Sequence, residues 1–162
     1  ALASMPGLVD VGALLILAGL RFKIGAAPFH SWTPDVYQGA PTPITGFMAA
    51  CTKAAAFGAL LRVLYVVSLG LAQSSPATRE DLFVALWIVT LLTMVVGTVV
   101  GAVQTDVKRL LAYSSIAHAG FILVGVLGFS QLSLPSTVLY LLFYCLSTFY
   151  YTHLTLQTKE RV

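Results

Sequence analysis

An all-α, polytopic membrane protein with about five transmembrane helices, the first of them discontinuous, is what this chain predicts, and three observations carry it. Of its 162 residues 58% are hydrophobic and only 9% charged, where soluble domains carry about 25% charged residues. The apolar residues gather into five stretches, each long enough to cross a hydrocarbon core of about 30 Å at ~1.5 Å per residue. Period-two alternation is absent, so a barrel is not indicated, and lipid leaves the backbone no hydrogen-bond partner except its own helix. The chain therefore reads as a single transmembrane domain, 1–162, with no internal repeat.

The first stretch runs from Leu8 to Phe22 and continues, broken, to Gln38 (1–40 in all), within RFKIGAAPFHSWTPDVYQGAPTP, where four prolines fall within sixteen positions. It lacks the basic n-region and small-residue cleavage site of a signal peptide. The second span covers 43–71 and is followed by a polar loop, AQSSPATRED, holding Pro76 and three charges. The remaining spans are 82–103, 107–129 and 135–156. If loops one and three lie on one side, that side receives Lys108, Arg109, Lys159 and Arg161, against Arg79 alone on the other. The positive-inside rule then makes the first side cytoplasmic, with an extracytoplasmic N-terminus and a cytoplasmic C-terminal tail in a cell (inner) membrane.

Two lysines stand out because a charge near mid-membrane costs about 2.5–3.5 kcal/mol on insertion scales and normally faces protein or water. Lys23 lies about 22 Å along a helix from Leu8. Gly25 and Pro28 beside it predict a helix break, since proline removes a donor and clashes one turn back. Broken helices expose carbonyls that favour cations; the alternative is that Lys23 and Arg21 snorkel to an interface. Lys53, in GFMAACTKAAAFGALL, is about 15 Å into its helix and is flanked by small residues that let neighbours approach. Burial there disfavours the ammonium and suits proton exchange; the alternative is a structural lysine held by carbonyls.

His118, in KRLLAYSSIAHAGFILVG, has Ser114 one turn earlier and Ser115 three residues away. An imidazole suits a proton relay, and a helix–helix hydrogen bond is the rival role. A hydrolase is excluded, because no acid orients the histidine and no nucleophile elbow is present. His30 and Trp32, with Pro34 and Asp35, read as the end of the broken helix nearing the interface.

His30, His118 and His153 share no metal-ligand spacing. Cys51 and Cys145 sit in apolar segments and read as small hydrophobes. A net charge of +3, scattered along the chain, gives no footprint for nucleic acid. No acid occupies mid-span: Asp10 is near a helix end and the other five lie in loops, turns or the tail. Two buried lysines without an internal acid predict carboxylates from other helices or other chains.

The segments FKIGAAPFHSWTPDVYQGAPTPITGFMAACTKAAAFGALLRVL and QTDVKRLLAYSSIAHAGFILVGV resemble subunit N, an antiporter-like membrane subunit family of proton-pumping NADH:quinone oxidoreductase (respiratory complex I). That family is related to subunits of Mrp-type cation/proton antiporters. The VYQGAP run and the thirty-residue interval between the lysines favour it over its larger antiporter-like sisters. The resemblance covers most of 1–146 and implies a central fragment, the seventh to eleventh spans of about fourteen. It implies proton transport through Lys23, Lys53 and His118 as parts of a hydrated path, coupled to respiratory electron transfer elsewhere in the complex. NADH, flavin, iron–sulfur clusters and quinone are then expected in other subunits, with none in this chain, and the other membrane subunits of the translocase become its partners. A cation/proton antiporter or membrane-bound hydrogenase subunit is the first alternative; a non-transporting truncated fragment is the second. The tail CLSTFYYTHLTLQTKERV departs from the small, apolar character expected of the eleventh span.

Overall fold

The computed structural model describes residues 6–74, 76–128 and 132–159, with side chains described for 11–12, 14–70, 79–128 and 132–150. Among the described residues the regular structure is all helical: α1 (Pro6–Ile24), α2 (Trp32–Gly39), α3 (Thr42–Phe47), a π-helical segment (Met48–Thr52), α4 (Lys53–Ser74), α5 (Pro76–Ala102), α6 (Val107–Leu127) and α7 (Ser133–Lys159). Four stretches are long and apolar enough to cross a membrane: Thr42–Gly70, Arg79–Ala102, Val107–Leu127 and Ser133–Tyr150.

The expected break is present, and Gly25 makes it. Its φ of 77° is in the left-handed region. The amide of Ala26 donates to Arg21 O at 3.0 Å and that of Gly25 to Phe22 O at 3.1 Å, the paired bonds of a Schellman motif. A Cβ at Gly25 would lie 2.7 Å from Thr33 Oγ1. Trp32 then folds back, donating from Nε1 to Phe22 O at 3.0 Å and stacking on the Phe22 ring at 5.6 Å. The Ala27 amide donates across to Thr93 Oγ1 on α5 at 3.0 Å. Pro28 follows within the non-helical stretch, after a cis peptide bond.

The sequence reading needs correction between the second and third spans. Within AQSSPATRED the helices run further than expected, α4 to Ser74 and α5 from Pro76. Proline is well placed at a helix start, where its missing N–H would have no partner. The third span likewise starts earlier than expected, at Pro76, and the fifth extends past both expected ends, to Ser133–Lys159. Polar composition marked the end of the apolar run, a few residues before the helix itself ends at Ser74.

α5 and α6 are antiparallel and pack along a seam of small residues. A Cβ on Gly97 would fall 2.5 Å from the Ala117 amide nitrogen, and one on Gly120 would fall 3.0 Å from that of Met94. Gly97 and Gly101 form a small-xxx-small pair, the pattern that brings helix backbones together in lipid. The core behind this seam joins Leu17 and Ile24 of α1, Phe57, Leu60 and Leu64 of α4, Leu86 of α5, and Ile122 and Val126 of α6. Outward-facing Leu15, Val66, Ile88, Val99 and Leu142 are exposed, as expected of surfaces that meet acyl chains or further helices.

Candidate functional site

Lys53 opens α4 directly after the π-helical segment, a local widening found often at functional sites. Its side chain is 2% exposed. Nζ donates to Ser115 O at 2.6 Å and also to Ser115 Oγ, and it stands 5.9 Å from the centroid of the Tyr144 ring. Among the described residues the salt bridge is elsewhere, between Arg109 and Asp35. Dipoles and a π face therefore hold the Lys53 amine, without a carboxylate. That is a buried amine compensated by neutral groups alone.

Around it α6 and α7 supply a polar cluster. Ser115 Oγ and the Tyr144 hydroxyl are 2.8 Å apart, and His118 Nδ1 and the Tyr140 hydroxyl are 2.7 Å apart. The His118 ring lies 5.3 Å from that of Tyr144 and makes an edge contact with Phe121 at 6.0 Å. Cys145 Sγ reaches Ala50 O at 3.6 Å, tying α7 to the π-helical segment. A cavity of about 650 Å³ adjoins this cluster, lined by Tyr37, Thr42, Thr45, Gly46, Ala49, Val107, Lys108, Leu111, Ser114, Ser115, His118, Tyr140, Phe143, Tyr144, Ser147 and Thr148. At roughly 30 Å³ per molecule it has room for on the order of twenty waters.

The cavity extends toward the α5–α6 turn, where the start of α6 grips α2. Asp106 caps α6, accepting from the amides of Lys108 at 2.8 Å and Arg109 at 3.1 Å. Lys108 Nζ donates to Ala40 O at 3.1 Å, near the last carbonyls of α2. Arg109 donates to Asp35 Oδ1 at 2.8 Å and to Gln38 Oε1 at 3.0 Å. Loops one and three thus lie on the same side of the helices, as the charge count assumed.

The structure brings together Lys53, Ser114, Ser115 and His118 from the sequence-derived set. Lys23 is apart from them: it is exposed on the last turn of α1, outside the cavity. Two of the last-turn carbonyls, Arg21 O and Phe22 O, accept instead from Gly25, Ala26 and Trp32. Gly25 and Pro28 act on the backbone rather than in the cavity. His30 packs on Tyr113 at 6.5 Å, and His153 lies outside the residues with described side chains. Tyr37, Tyr140, Tyr144 and the π-helical segment were missed by sequence reasoning. The four-residue spacing of Tyr140 and Tyr144 was the available signal, but it names a helix face without saying what that face meets.

The transmembrane model of the NADH:quinone oxidoreductase/Mrp antiporter family matches residues 5–160. The chain belongs to this family. It is 59% identical over 161 residues to NADH-quinone oxidoreductase subunit N of Beutenbergia cavernae, covering 99% of this chain and 29% of that relative. With subunit N of Mycobacterium tuberculosis strain H37Rv identity is 57% over 137 residues, 85% of this chain and 24% of the relative. The chain thus spans under a third of the length of these relatives. The Beutenbergia match covers 161 residues, so it takes in most or all of the tail after Tyr144. Among solved structures, one chain of the membrane-bound sulfane sulfur reductase, an archaeal respiratory membrane complex, superposes with a TM-score of 0.78 at 31% identity, over 88% of this chain and 28% of that one. Multi-pass membrane residence follows from the family and the apolar helices together. Among the described residues no three His, Cys, Asp or Glu side chains are grouped to hold a metal.

Proposed function

We propose that this chain is part of a proton-translocating membrane subunit of an NADH:quinone oxidoreductase, in which protons cross mid-membrane through buried lysine. The single observation that supports this best is Lys53, 2% exposed, bonded to Ser115 and beside a roomy cavity. An amine held by neutral dipoles changes protonation state when nearby charge or hydration changes, which couples it to distant events without covalent chemistry. Lys53 holds the proton, Ser115 receives its hydrogen bonds, and His118 continues the path at the cavity wall. Lys23, at the break, faces outward to meet a neighbouring helix or subunit that supplies an acid. Electron transfer, with its nicotinamide, flavin, iron–sulfur and quinone groups, belongs to other subunits of the assembly. The N-terminus is extracytoplasmic in this reading, and the Lys108–Arg109 turn is cytoplasmic.

The test is Lys53→Ala in the membrane complex that contains this chain. The expected result is assembly at normal levels with fewer protons moved per electron. A wild-type proton-to-electron ratio would overturn the reading. The likeness to a sulfur-reductase complex favours a second reading, the same ion module driven by a different redox partner. Purification of the complex with NADH-oxidising subunits absent would support that one.

A further inference from the structure

α6 and α7 face each other with their polar side chains in register. Ser115 and His118 are three residues apart on α6, while Tyr144 and Tyr140 are four apart on α7, and the helices are antiparallel. The pairs Ser115–Tyr144 and His118–Tyr140 therefore form successive rungs, at 2.8 and 2.7 Å. Tyr144 touches both basic groups, its ring 5.9 Å from Lys53 Nζ and 5.3 Å from the His118 ring. Both rungs open on the same cavity. Shape does not require the hydroxyls, since phenylalanine would fill the same volume; hydrogen bonding does.

Resting on the function proposed above, we propose that Tyr144 relays a proton between Lys53 and His118 and that Tyr140 is a positioning residue for that transfer. Tyr144 fixes Ser115 Oγ against the amine and passes a proton on. Tyr140 fixes the His118 ring, accepting from Nδ1–H so that Nε2 keeps its lone pair for the incoming proton. In the step, an N–H bond of the Lys53 ammonium breaks as Ser115 Oγ gains that proton. The proton Ser115 already carried moves to the Tyr144 oxygen, and the one Tyr144 carried leaves through cavity water to His118 Nε2. Both hydroxyls end neutral, one positive charge moves from Lys53 to His118, and nothing is oxidised or reduced. The ladder rises three residues along α6, about 4.5 Å.

The experiment compares Tyr144→Phe, Tyr140→Phe and Lys53→Ala in the assembled complex, reconstituted in vesicles. It reads proton pumping alongside NADH oxidation by an artificial acceptor and thermal midpoint. Tyr144→Phe is expected to leave assembly, artificial-acceptor rate and midpoint unchanged while pumping falls about tenfold. That is less than the usual 10²–10⁴ for a positioned proton-transfer group, because cavity water offers a partial bypass. Tyr140→Phe is expected to act in the same direction. Wild-type pumping in both tyrosine variants, with pumping lost in Lys53→Ala, overturns the ladder and leaves the lysine path standing. Wild-type pumping in Lys53→Ala as well overturns both. Should Tyr144→Phe fail to assemble, Ser115→Ala and Tyr140→Phe decide by the same criteria.

Discussion

Alanine in place of Gly97 would put a Cβ 2.5 Å from the Ala117 amide nitrogen and 2.8 Å from its Cα. Both are backbone atoms that no rotamer change can move aside. Restoring ordinary contact at 3.4 Å requires α5 and α6 to separate by about 0.9 Å, and overpacking of this kind costs about 1–3 kcal/mol. Ala117 is two residues from Ser115, so the shift also displaces the serine whose carbonyl accepts the 2.6 Å bond from Lys53. Gly58→Ala is the control: it has nothing within 4 Å and gains the same helix propensity, about 1 kcal/mol. Comparing the two variants isolates the packing cost. Thermal midpoints of the purified membrane complex and its pumping rate provide the assay, with Gly97→Ala lower on both. If Gly97→Ala matches Gly58→Ala, the α5–α6 seam is not as tight as argued, and the link from seam to site fails with it.

Two further outcomes can be measured on the same preparation, beside those given above for Lys53 and Tyr144. Gly25→Ala should lower the thermal midpoint, because a left-handed residue with a Cβ costs roughly 1–2 kcal/mol and the new methyl meets Thr33 Oγ1 at 2.7 Å; an unchanged midpoint would show that the break tolerates another geometry. Asp106→Ala removes the two capping bonds at the start of α6 and should cost about 0.5–2 kcal/mol. Hydrogen exchange should then quicken first at Lys108 and Arg109, and protection equal to wild type there would remove Asp106 from the role of cap.

The sequence reading reached the break because its cause is local. Gly25 and Pro28 restrict or release backbone angles wherever they stand, and the observed Schellman bonds need only Arg21 to Ala26. It reached Lys53 for a similar reason, since an ammonium ten residues into an apolar helix must turn inward regardless of what it meets. The helix ends themselves were less legible: α4 runs on to Ser74 and α5 starts at Pro76, because an apolar run stops a few residues before its helix does. The polar partners of Lys53 were not legible at all. Ser115, Tyr144 and His118 become a cluster only when α4, α6 and α7 come together, 62 and 29 residues apart along the chain.

Composition and local stereochemistry by themselves determined a helical membrane chain, its broken first helix and an amine that lipid cannot accommodate. Only the tertiary structure decided which neutral groups surround that amine, that Lys23 faces outward, and that two tyrosines line up with Ser115 and His118. The physical reason is range. Backbone preference and transfer from water act residue by residue, whereas a hydrogen bond between helices depends on register and close approach, which the glycine seam and the packing of α6 on α7 set.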